Sequence, residues 1–286
     1  MDACVVQIPA APRTRDIGVI DAPVLICGGV CSNLEALTAF LEAARRAGIP
    51  AERIIHTGDA VAYGADPVRV TERLRQTAVH AIQGNVEESL ARRRSECSCG
   101  FDRGSPCDTL SADWFGYADA RIGSGLRAWM GGLPHQLVFT MAGRRVRVVH
   151  GGVTEINRFL YPSTPDRDFE AEFAAAAADV VIAGHGSIPF TQRFGSRVWH
   201  NSGALGLPAN DGTPRVWYSR LEPEGDNIRF THMPLAYERA TARRKMLQAS
   251  LPRGYADALS TCLWPSLDSL PPAEQAQTGR ALRLAA

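Results

Sequence analysis

The sequence predicts an α/β fold, with two β-sheets in one domain and helices packed outside them. Two observations support this prediction. In the first third of the chain, short apolar runs alternate with amphipathic helical segments, which is typical of βα units in a mostly parallel sheet. Between residues 135 and 235 the pattern changes to paired strands around turns, which indicates hairpins. A domain that contains both patterns needs a second sheet.

Hydrophobic periodicity places the elements of the first third. A loose lead-in is expected over residues 1–18, which carry prolines and arginines. Leu34, Leu37 and Phe40 fall on one face of a helix that ends at Gly48. The predicted elements are, in order, a strand at 24–27, a helix from 34, a strand at 53–56, a helix from 67 to about 79 and a strand at 80–85.

The second half is richer in strands. One stretch before it, residues 95–110, holds three cysteines without periodicity and is predicted to be an irregular Cys-rich insertion. We expect one domain over residues 1–235 and a helical extension over 236–286 packed on its outside. The predicted elements are hairpins at 135–152, 190–203 and 213–235, a helix at 168–178 and a buried strand at 179–184.

Composition narrows the class of protein. The chain has 286 residues, of which 45% are hydrophobic and 21% charged, and its net charge is +1. Its basic clusters are scattered, which argues against a nucleic-acid track. No apolar run reaches the length of a membrane span, and the N-terminus lacks the order of a signal peptide. We therefore expect a cytoplasmic protein without a membrane partner, in which cysteines stay reduced.

Four predicted strands end in a glycine next to a side chain that can bind a metal. Open α/β sheets bind ligands beyond the carboxyl ends of their strands, and glycine lets the backbone turn sharply there. One such pair alone is usually a structural turn, whereas four in succession predict a shared site. The pairs are Gly58–Asp59, Gly84–Asn85, His150–Gly151 and Gly184–His185.

These motifs resemble those of the calcineurin-like metallophosphoesterase superfamily, in particular its small bacterial phosphodiesterase-type branch. The family pattern is D-x-H, G-D, G-N-H-[DE], a lone H and G-H-x-H. The resemblance covers residues from about 20 to about 230 and implies a four-layer αββα sandwich. The matching stretches are SNLEAL, TGDAVAYGADP, IQGNVEESL, VVHGG, IAGHGSIPF and the later HNSGALGLPANDG.

The resemblance implies one complete half of a two-metal site. In the family, the aspartate of the G-D motif bridges two metals, and that position is Asp59. One metal also takes the asparagine of G-N, the lone histidine and the first histidine of G-H-x-H, which are Asn85, His150 and His185. We expect Mn, Fe or Zn at these four residues, and a catalytic role for Asp59, His150 and His185.

The other half of the family's site is degenerate. The D-x-H positions are Gly29 and Cys31, and the second histidine of G-H-x-H is Ser187, so only Cys31 could bind a metal. Val86 replaces the histidine that usually protonates the leaving group in the family. One metal can still polarise a phosphoryl group. The second metal is lost, together with a general acid of the kind that typically contributes ~10²–10⁴-fold.

The cysteines offer a candidate second centre. Cys97, Cys99 and Cys107 of the insertion, together with Cys31, would provide four thiolates, enough for Zn or Fe. The C-x-C-x7-C spacing matches no standard zinc or iron–sulfur motif. The alternative is that these are reduced thiols without a metal, in a loop that folds over the vacated half-site.

Three functions remain open. The first is a metal-dependent phosphoester hydrolase, for which the resemblance implies a phosphodiester or nucleotide as substrate. The second is a non-catalytic binding or regulatory protein with the same fold, favoured by the loss of three metal ligands. The third is a metal or redox sensor built on the cysteines. Retention of a complete four-residue ligand set favours the hydrolase.

Overall fold

Two β-sheets lie face to face, with helices covering their outer faces. The computed structural model describes residues 13–284. It confirms the predicted four-layer αββα sandwich. The strands of this part of the chain are β1 Thr14–Val19, β2 Val24–Cys27, β3 Ile54–His56, β4 His80–Ala81, β5 Gln136–Met141, β6 Arg144–Val148, β7 Val180–Ala183, β8 Phe190–Phe194, β9 Arg197–Asn201, β10 Val216–Glu224 and β11 Asn227–Leu235.

The order of the strands brings four loops to one edge. The six-stranded sheet has the order β1-β5-β6-β7-β9-β8, and the five-stranded sheet has the order β11-β10-β2-β3-β4. Strands β2, β3 and β4 run parallel, as do β6, β7 and β9. Parallel strands share one carboxyl edge, where α/β sheets bind ligands. The loops after β3 and β4 in one sheet therefore leave together, as do those after β6 and β7 in the other.

Helices pack on three sides of the sandwich. α1 and α2 cover the five-stranded sheet, and α6 covers the six-stranded sheet. α3, α4, α5, α7 and α8 form a further apolar cluster with the loops that follow β2 and β3. These helices are α1 Leu34–Arg46, α2 Pro67–Gln76, α3 Asn85–Ala91, α4 Pro106–Asp119, α5 Ser124–Gly132, α6 Asp166–Ala176, α7 Arg239–Gln248 and α8 Arg253–Thr261, and a short α9 follows at Pro272–Gln275.

The core between the two sheets consists of aliphatic side chains that alternate along the strands. Val24 and Ile26 of β2 contribute from one sheet, and Val146, Val148 and other residues contribute from the second. Each is completely buried. Because full burial of such a side chain stabilises the folded state by about 1.5–3 kcal/mol, this layer holds the sheets in a fixed relation.

Three predictions about local structure were wrong. Part of the expected lead-in, 14–19, is the edge strand β1, whose mostly exposed side chains gave no apolar signal. Residues 1–12 lie outside the described part of the chain. The helix predicted to reach about residue 79 ends at Gln76. The Cys-rich insertion is irregular only up to Ser105, whose side chain accepts from the Asp108 N–H and begins α4.

The C-terminal extension is not simply an outer layer. Its helix α7 packs on α1, and Lys245 lies 2.5 Å from the Glu35 carboxylate and 2.6 Å from that of Asp66. Tyr255 of α8 stacks on Tyr63 at 4.2 Å between ring centroids. The extension therefore reaches the loop that follows β3. Within residues 13–284, none of the helices has the length and apolar character needed to cross a bilayer.

Two buried histidines join the sheets through hydroxyl groups. The ring of His200, on β9, lies 2.8 Å from the Thr191 hydroxyl and 2.8 Å from that of Ser219, across the sandwich. His232, on β11, stacks on His200 and contacts Thr191 at 3.0 Å. Burial, and then the neighbouring His232, hold the pKa of His200 well below its ordinary value. Burial lowers the pKa of His232 to about 4.

This pair should make the protein less stable in mild acid. Both rings are neutral in the folded protein, whereas an unfolded histidine takes up a proton near its ordinary pKa of 6.5. The free energy of unfolding should therefore fall below about pH 6.5, by up to about 1.4 kcal/mol per pH unit for each such histidine. We expect His200→Gln to reduce the slope of unfolding free energy against pH by up to about 1.4 kcal/mol per pH unit, as measured by denaturant titrations at several pH values. His80→Gln, at a half-buried position, should change it less, and equal slopes for wild type and His200→Gln would contradict the assignment.

Candidate metal centre

Four side chains converge where the loops leave the parallel strands. Asp59 follows β3, Asn85 begins α3 after β4, His150 follows β6 and His185 follows β7. The Nε2 atom of His150 lies 2.9 Å from Asn85 Oδ1, 3.0 Å from His185 Nδ1 and 3.3 Å from Asp59 Oδ2. Asp59 Oδ2 lies 3.9 Å from His185 Nδ1. Within the described residues, Asp59, His150 and His185 form the one group of three acidic, His or Cys side chains close enough to hold a metal ion.

The remaining nitrogen of each histidine contacts a backbone carbonyl. His150 Nδ1 is 2.7 Å from the Thr57 oxygen, and His185 Nε2 is 3.1 Å from the Cys99 oxygen. A carbonyl oxygen only accepts hydrogen bonds, so these ring nitrogens carry the protons. When both rings are neutral, the lone pairs of His150 Nε2 and His185 Nδ1 therefore point into the site. Such backbone contacts are the usual way in which metal-binding histidines are oriented.

Asn85 is oriented in the same way. Its Nδ2 donates to the Cys97 carbonyl at 3.0 Å, which turns Oδ1 toward His150. Four electron-pair donors thus surround one point without a proton among them when both rings are neutral. Mutual repulsion of these donors is removed by a cation, and one carboxylate, one amide oxygen and two imidazoles suit a divalent transition metal. The residues present therefore fit the metal that the motifs imply.

Charges and burial act against each other at these groups. Burial by itself raises the pKa of Asp59, but the adjacent His150 outweighs it and holds that pKa below its ordinary value. Burial lowers the pKa of His150, yet the Asp59 carboxylate raises it above its ordinary value overall. Burial, and then the neighbouring His150, lower the pKa of His185 to about 3. The carboxylate is therefore ionised and His185 neutral, as metal ligands must be.

Two glycines make the approach of these loops possible. A Cβ on Gly58, which has a φ of +94°, would lie 2.6 Å from His150 Nδ1. A Cβ on Gly84 would lie 2.3 Å from Asp59 Oδ1. Larger residues would displace the ligands themselves, which explains why glycine precedes Asp59 and Asn85.

Glu87 holds the backbone next to the site through hydrogen bonds, a role that the sequence analysis did not predict. This completely buried carboxylate accepts from the backbone N–H groups of Asp59 at 2.8 Å, Gly84 at 3.0 Å and Val61 at 3.2 Å. Burial, and then Asp59, raise its pKa to about 7. The sequence did carry a signal, since an acidic residue in the first turn of a helix commonly accepts from free backbone N–H groups there. Glu87 connects the Asp59 loop to the start of α3.

The degenerate positions lie together on the other side of Asp59. Gly29, Cys31, Val86 and Ser187 all line one cavity that also contains Asp59 and both histidines. Burial, and then the Asp59 and Glu87 carboxylates, raise the pKa of the Cys31 thiol well above its ordinary value. A protonated, buried thiol is a poor metal ligand. These four positions therefore contribute to the cavity wall beside Asp59.

The four cysteines predicted to form a second centre do not gather as free thiolates. Cys97 and Cys99 form a disulfide, which contradicts the expectation that both are reduced. Cys31 and Cys107 are free, and burial first, then Asp268, raises the pKa of Cys107 to about 12. Within residues 13–284 no group of three potential ligand atoms includes a cysteine. The insertion nevertheless covers the cavity, which Cys99, Phe101 and Cys107 line.

Aromatic side chains form much of the cavity wall, and one of them, Phe159, stacks on His185 at 4.3 Å between ring centroids. The cavity has a volume of about 40 Å³, which is enough to hold water, since a cavity needs roughly 10–15 Å³ to do so. Among the described residues, neither Lys nor Arg lines it. Part of the wall comes from the C-terminal extension, through Tyr255, Trp264–Ser266 and Ser269. The aromatic residues are Tyr63, Phe101, Trp114, Phe159, Tyr161, Tyr255 and Trp264.

Comparison with known protein families shows which superfamily the chain belongs to. Residues 24–226 match the calcineurin-like phosphoesterase superfamily domain. The chain belongs to this superfamily. The predicted resemblance is therefore confirmed, and with it the presence of a fold whose members use divalent metals. The match ends before α7, so the C-terminal helices that line the cavity lie beyond it.

Solved structures agree on the fold. A metallophosphoesterase from Sphaerobacter thermophilus is 23% identical, with a TM-score of 0.66, and the alignment covers 85% of this chain and 99% of that one. A hypothetical protein from Pyrococcus horikoshii OT3 is 16% identical, with a TM-score of 0.69, over 83% of this chain and 97% of that one. No curated protein matches in sequence. At these identities the likeness concerns the fold.

Substitution of Glu87 should destabilise the protein. Glu87→Ala removes the acceptor of three backbone N–H groups, and each buried donor left without a partner costs about 1–3 kcal/mol. We expect a loss of at least about 3 kcal/mol in the free energy of unfolding, measured by denaturant titration. Glu88→Ala is a matched control in the same turn, because that side chain pairs with Arg92 on the helix surface. It should cost at most about 1 kcal/mol, and equal losses would refute the proposed role of Glu87.

Proposed function

We propose that the protein is a phosphoester hydrolase with a single metal centre held by Asp59, Asn85, His150 and His185. The observation that carries this proposal is the convergence of four donor atoms, three of which belong to side chains oriented by backbone carbonyls outside the site. A divalent metal bound there would act as a Lewis acid toward a phosphoryl oxygen and lower the pKa of a bound water. Mn, Fe or Zn suits this donor set.

The chain's own residues shape the remaining chemistry. Asp59 supplies the negative charge of the centre, and the carbonyls of Thr57 and Cys99 keep both histidines in the tautomer that can bind. Val86, which occupies the position of the family's proton donor, cannot give a proton to the leaving group. The leaving group must therefore depart as an anion or take its proton from water.

The charge of the cavity supports a phosphodiester as substrate. Asp59 is ionised, and no Lys or Arg among residues 13–284 lines the cavity. A monoester dianion would meet a wall without compensating charge, whereas a diester carries one negative charge. The aromatic wall is suited to an apolar or planar substituent.

A non-catalytic binding role is the second candidate, and two observations favour it. Gly29 and Ser187 have no side chain that would bind a second metal. The C-terminal extension, which lies beyond the matched family domain, also contributes to the wall of the cavity. In this role the retained centre would bind a metal and a phosphate group without turnover.

Metal analysis and a leaving-group series test the hydrolase directly. Wild type should bind one Mn²⁺ per chain and hydrolyse bis(4-nitrophenyl) phosphate, while Asp59→Ala should lose both properties. Aryl diesters should react faster than dialkyl diesters, because no acid protonates the poorer leaving group. The aryl-to-dialkyl rate ratio should exceed that of a relative with the acid histidine by more than about 10²-fold. Asp66→Ala, which alters a carboxylate bound to Lys245 outside the site, is the control. Turnover that persists in Asp59→Ala, or metal binding without any turnover, would refute the hydrolase, and the latter would favour the binding role.

Restoring the missing ligands should create a second metal site. In the variant Gly29→Asp/Cys31→His/Ser187→His, the new Asp side chain starts 3.0 Å from Cys31 Sγ, an atom that the same variant removes. Cys31 and Ser187 have φ values of +52° and +57°, a region where histidine is more common than most residues. We expect two Mn²⁺ per chain by elemental analysis and faster aryl diester hydrolysis. The paired variant Gly29→Ala/Cys31→Ser/Ser187→Ala should still bind one, and a single metal in the restored variant would contradict the assignment of these positions.

A further inference from the structure

The disulfide of the insertion lies directly against the proposed ligands. Cys97 accepts from Asn85 Nδ2 at 3.0 Å through its carbonyl, and the Cys99 sulfur lies 3.4 Å from the same nitrogen. The Cys99 carbonyl accepts from His185 Nε2 at 3.1 Å. Both half-cystines are buried. One three-residue segment thus orients two of the four donor side chains.

The residue between the two cysteines links this segment to α3 and to the loop after β6. Ser98, which has a φ of +53°, contacts the Ser89 hydroxyl on α3 at 3.1 Å. Its carbonyl accepts from Asn157 Nδ2 at 3.0 Å, in the loop after β6. The segment therefore bridges the elements that carry Asn85 and His150. The covalent bond between Cys97 and Cys99 closes a ring around Ser98 and holds the two carbonyls at fixed positions.

We propose that the Cys97–Cys99 disulfide is a redox-sensitive positioning element that sets the metal affinity of the Asp59–Asn85–His150–His185 centre. This inference rests on the proposed function, since it requires a metal at that centre. In the oxidised protein the two carbonyls hold His185 and Asn85 with their donor atoms toward the site. In the reduced protein the segment is free to rotate, and both side chains lose part of their support.

The redox step is a thiol–disulfide exchange with a dithiol. One thiolate of the dithiol attacks the sulfur of one cysteine, forms a mixed disulfide with it and releases the other cysteine as a thiolate. The second thiolate of the dithiol then attacks the dithiol's own sulfur in the mixed disulfide and releases the first cysteine. The S–S bond breaks, two electrons and two protons reach Cys97 and Cys99 as two thiols, and the dithiol becomes a disulfide. Loss of such outer support typically lowers metal affinity by about 10–100-fold.

Mn²⁺ titration of the full chain in both redox states tests the proposal. Mn²⁺ is the probe because it prefers oxygen and nitrogen over thiolate ligands, so new thiols should not bind it. A thiol titration first establishes that a dithiol, removed before metal is added, has released two thiols. We expect the reduced wild type to bind Mn²⁺ about 10–100-fold more weakly than the oxidised wild type, and reoxidation to restore the affinity.

Cysteine variants separate this effect from general damage. Cys97→Ser and Cys99→Ser should bind with the weak affinity in both states while keeping a cooperative unfolding transition. Cys262→Ser, which alters a buried free cysteine at the end of α8, should keep the full redox response. A disulfide that resists the dithiol, or equal affinity in both states, would overturn the redox role while leaving the hydrolase proposal intact.

Two further outcomes have distinct meanings. Tighter Mn²⁺ binding after reduction would overturn the positioning role, because it would show that the thiols themselves act as ligands. Absence of Mn²⁺ binding by wild type in either state would overturn the proposed metal centre, and the redox inference with it.

Discussion

Two backbone carbonyls determine what the buried histidines can do. The Thr57 oxygen holds the proton on His150 Nδ1, and the Cys99 oxygen holds the proton on His185 Nε2. The opposite nitrogens then meet at 3.0 Å beside an ionised carboxylate. In a neutral pair this arrangement places lone pairs against each other, so the site requires a proton or a cation to be stable. Gly58 and Gly84 leave room for these side chains, and Glu87 holds the backbone around them.

The two sides of Asp59 differ in structure as well as in sequence. On one side of Asp59, the donors are polar, buried and held by hydrogen bonds. On the other side, Gly29, Cys31 and Ser187 leave a cavity with a protonated thiol and aromatic walls. A centre of this kind can polarise a phosphoryl group from one side only. Any catalysis must therefore depend more on the leaving group than it would in a two-metal site.

Part of the cavity wall comes from residues beyond the family domain. The match to the superfamily ends at residue 226, yet Tyr255 and Trp264 lie against the cavity. Tyr255 stacks on Tyr63 of the loop after β3, and Lys245 pairs with Glu35 and Asp66. The Cys-rich insertion lines the same cavity through Cys99 and Cys107. Two segments that hold none of the four converging side chains therefore shape the space beside Asp59.

The sequence by itself predicted most of the sheet strands and the four side chains that converge at the carboxyl edge. Strands such as 24–27 are short apolar runs bounded by turn residues, and each of the four side chains stands next to a glycine after an apolar run, so local patterns sufficed. Edge strand β1 was missed because its exposed residues have no apolar periodicity. Glu87 was missed because its partners, the N–H groups of Asp59 and Val61, are distant in sequence.

Only the tertiary structure decided how the cysteines are bonded and where the C-terminal helices pack. Spacing alone left Cys97 and Cys99 as metal ligands or reduced thiols, and the disulfide that they form was not predicted, since sulfur chemistry depends on which atoms come within bonding distance. Likewise, the pattern of α8 marks one apolar face but not its partner. That partner is the wall of the cavity, because the loops after β3 and β9 place Tyr63 and Leu207 there. Such long-range contacts come from packing between distant segments, and a local pattern cannot encode them.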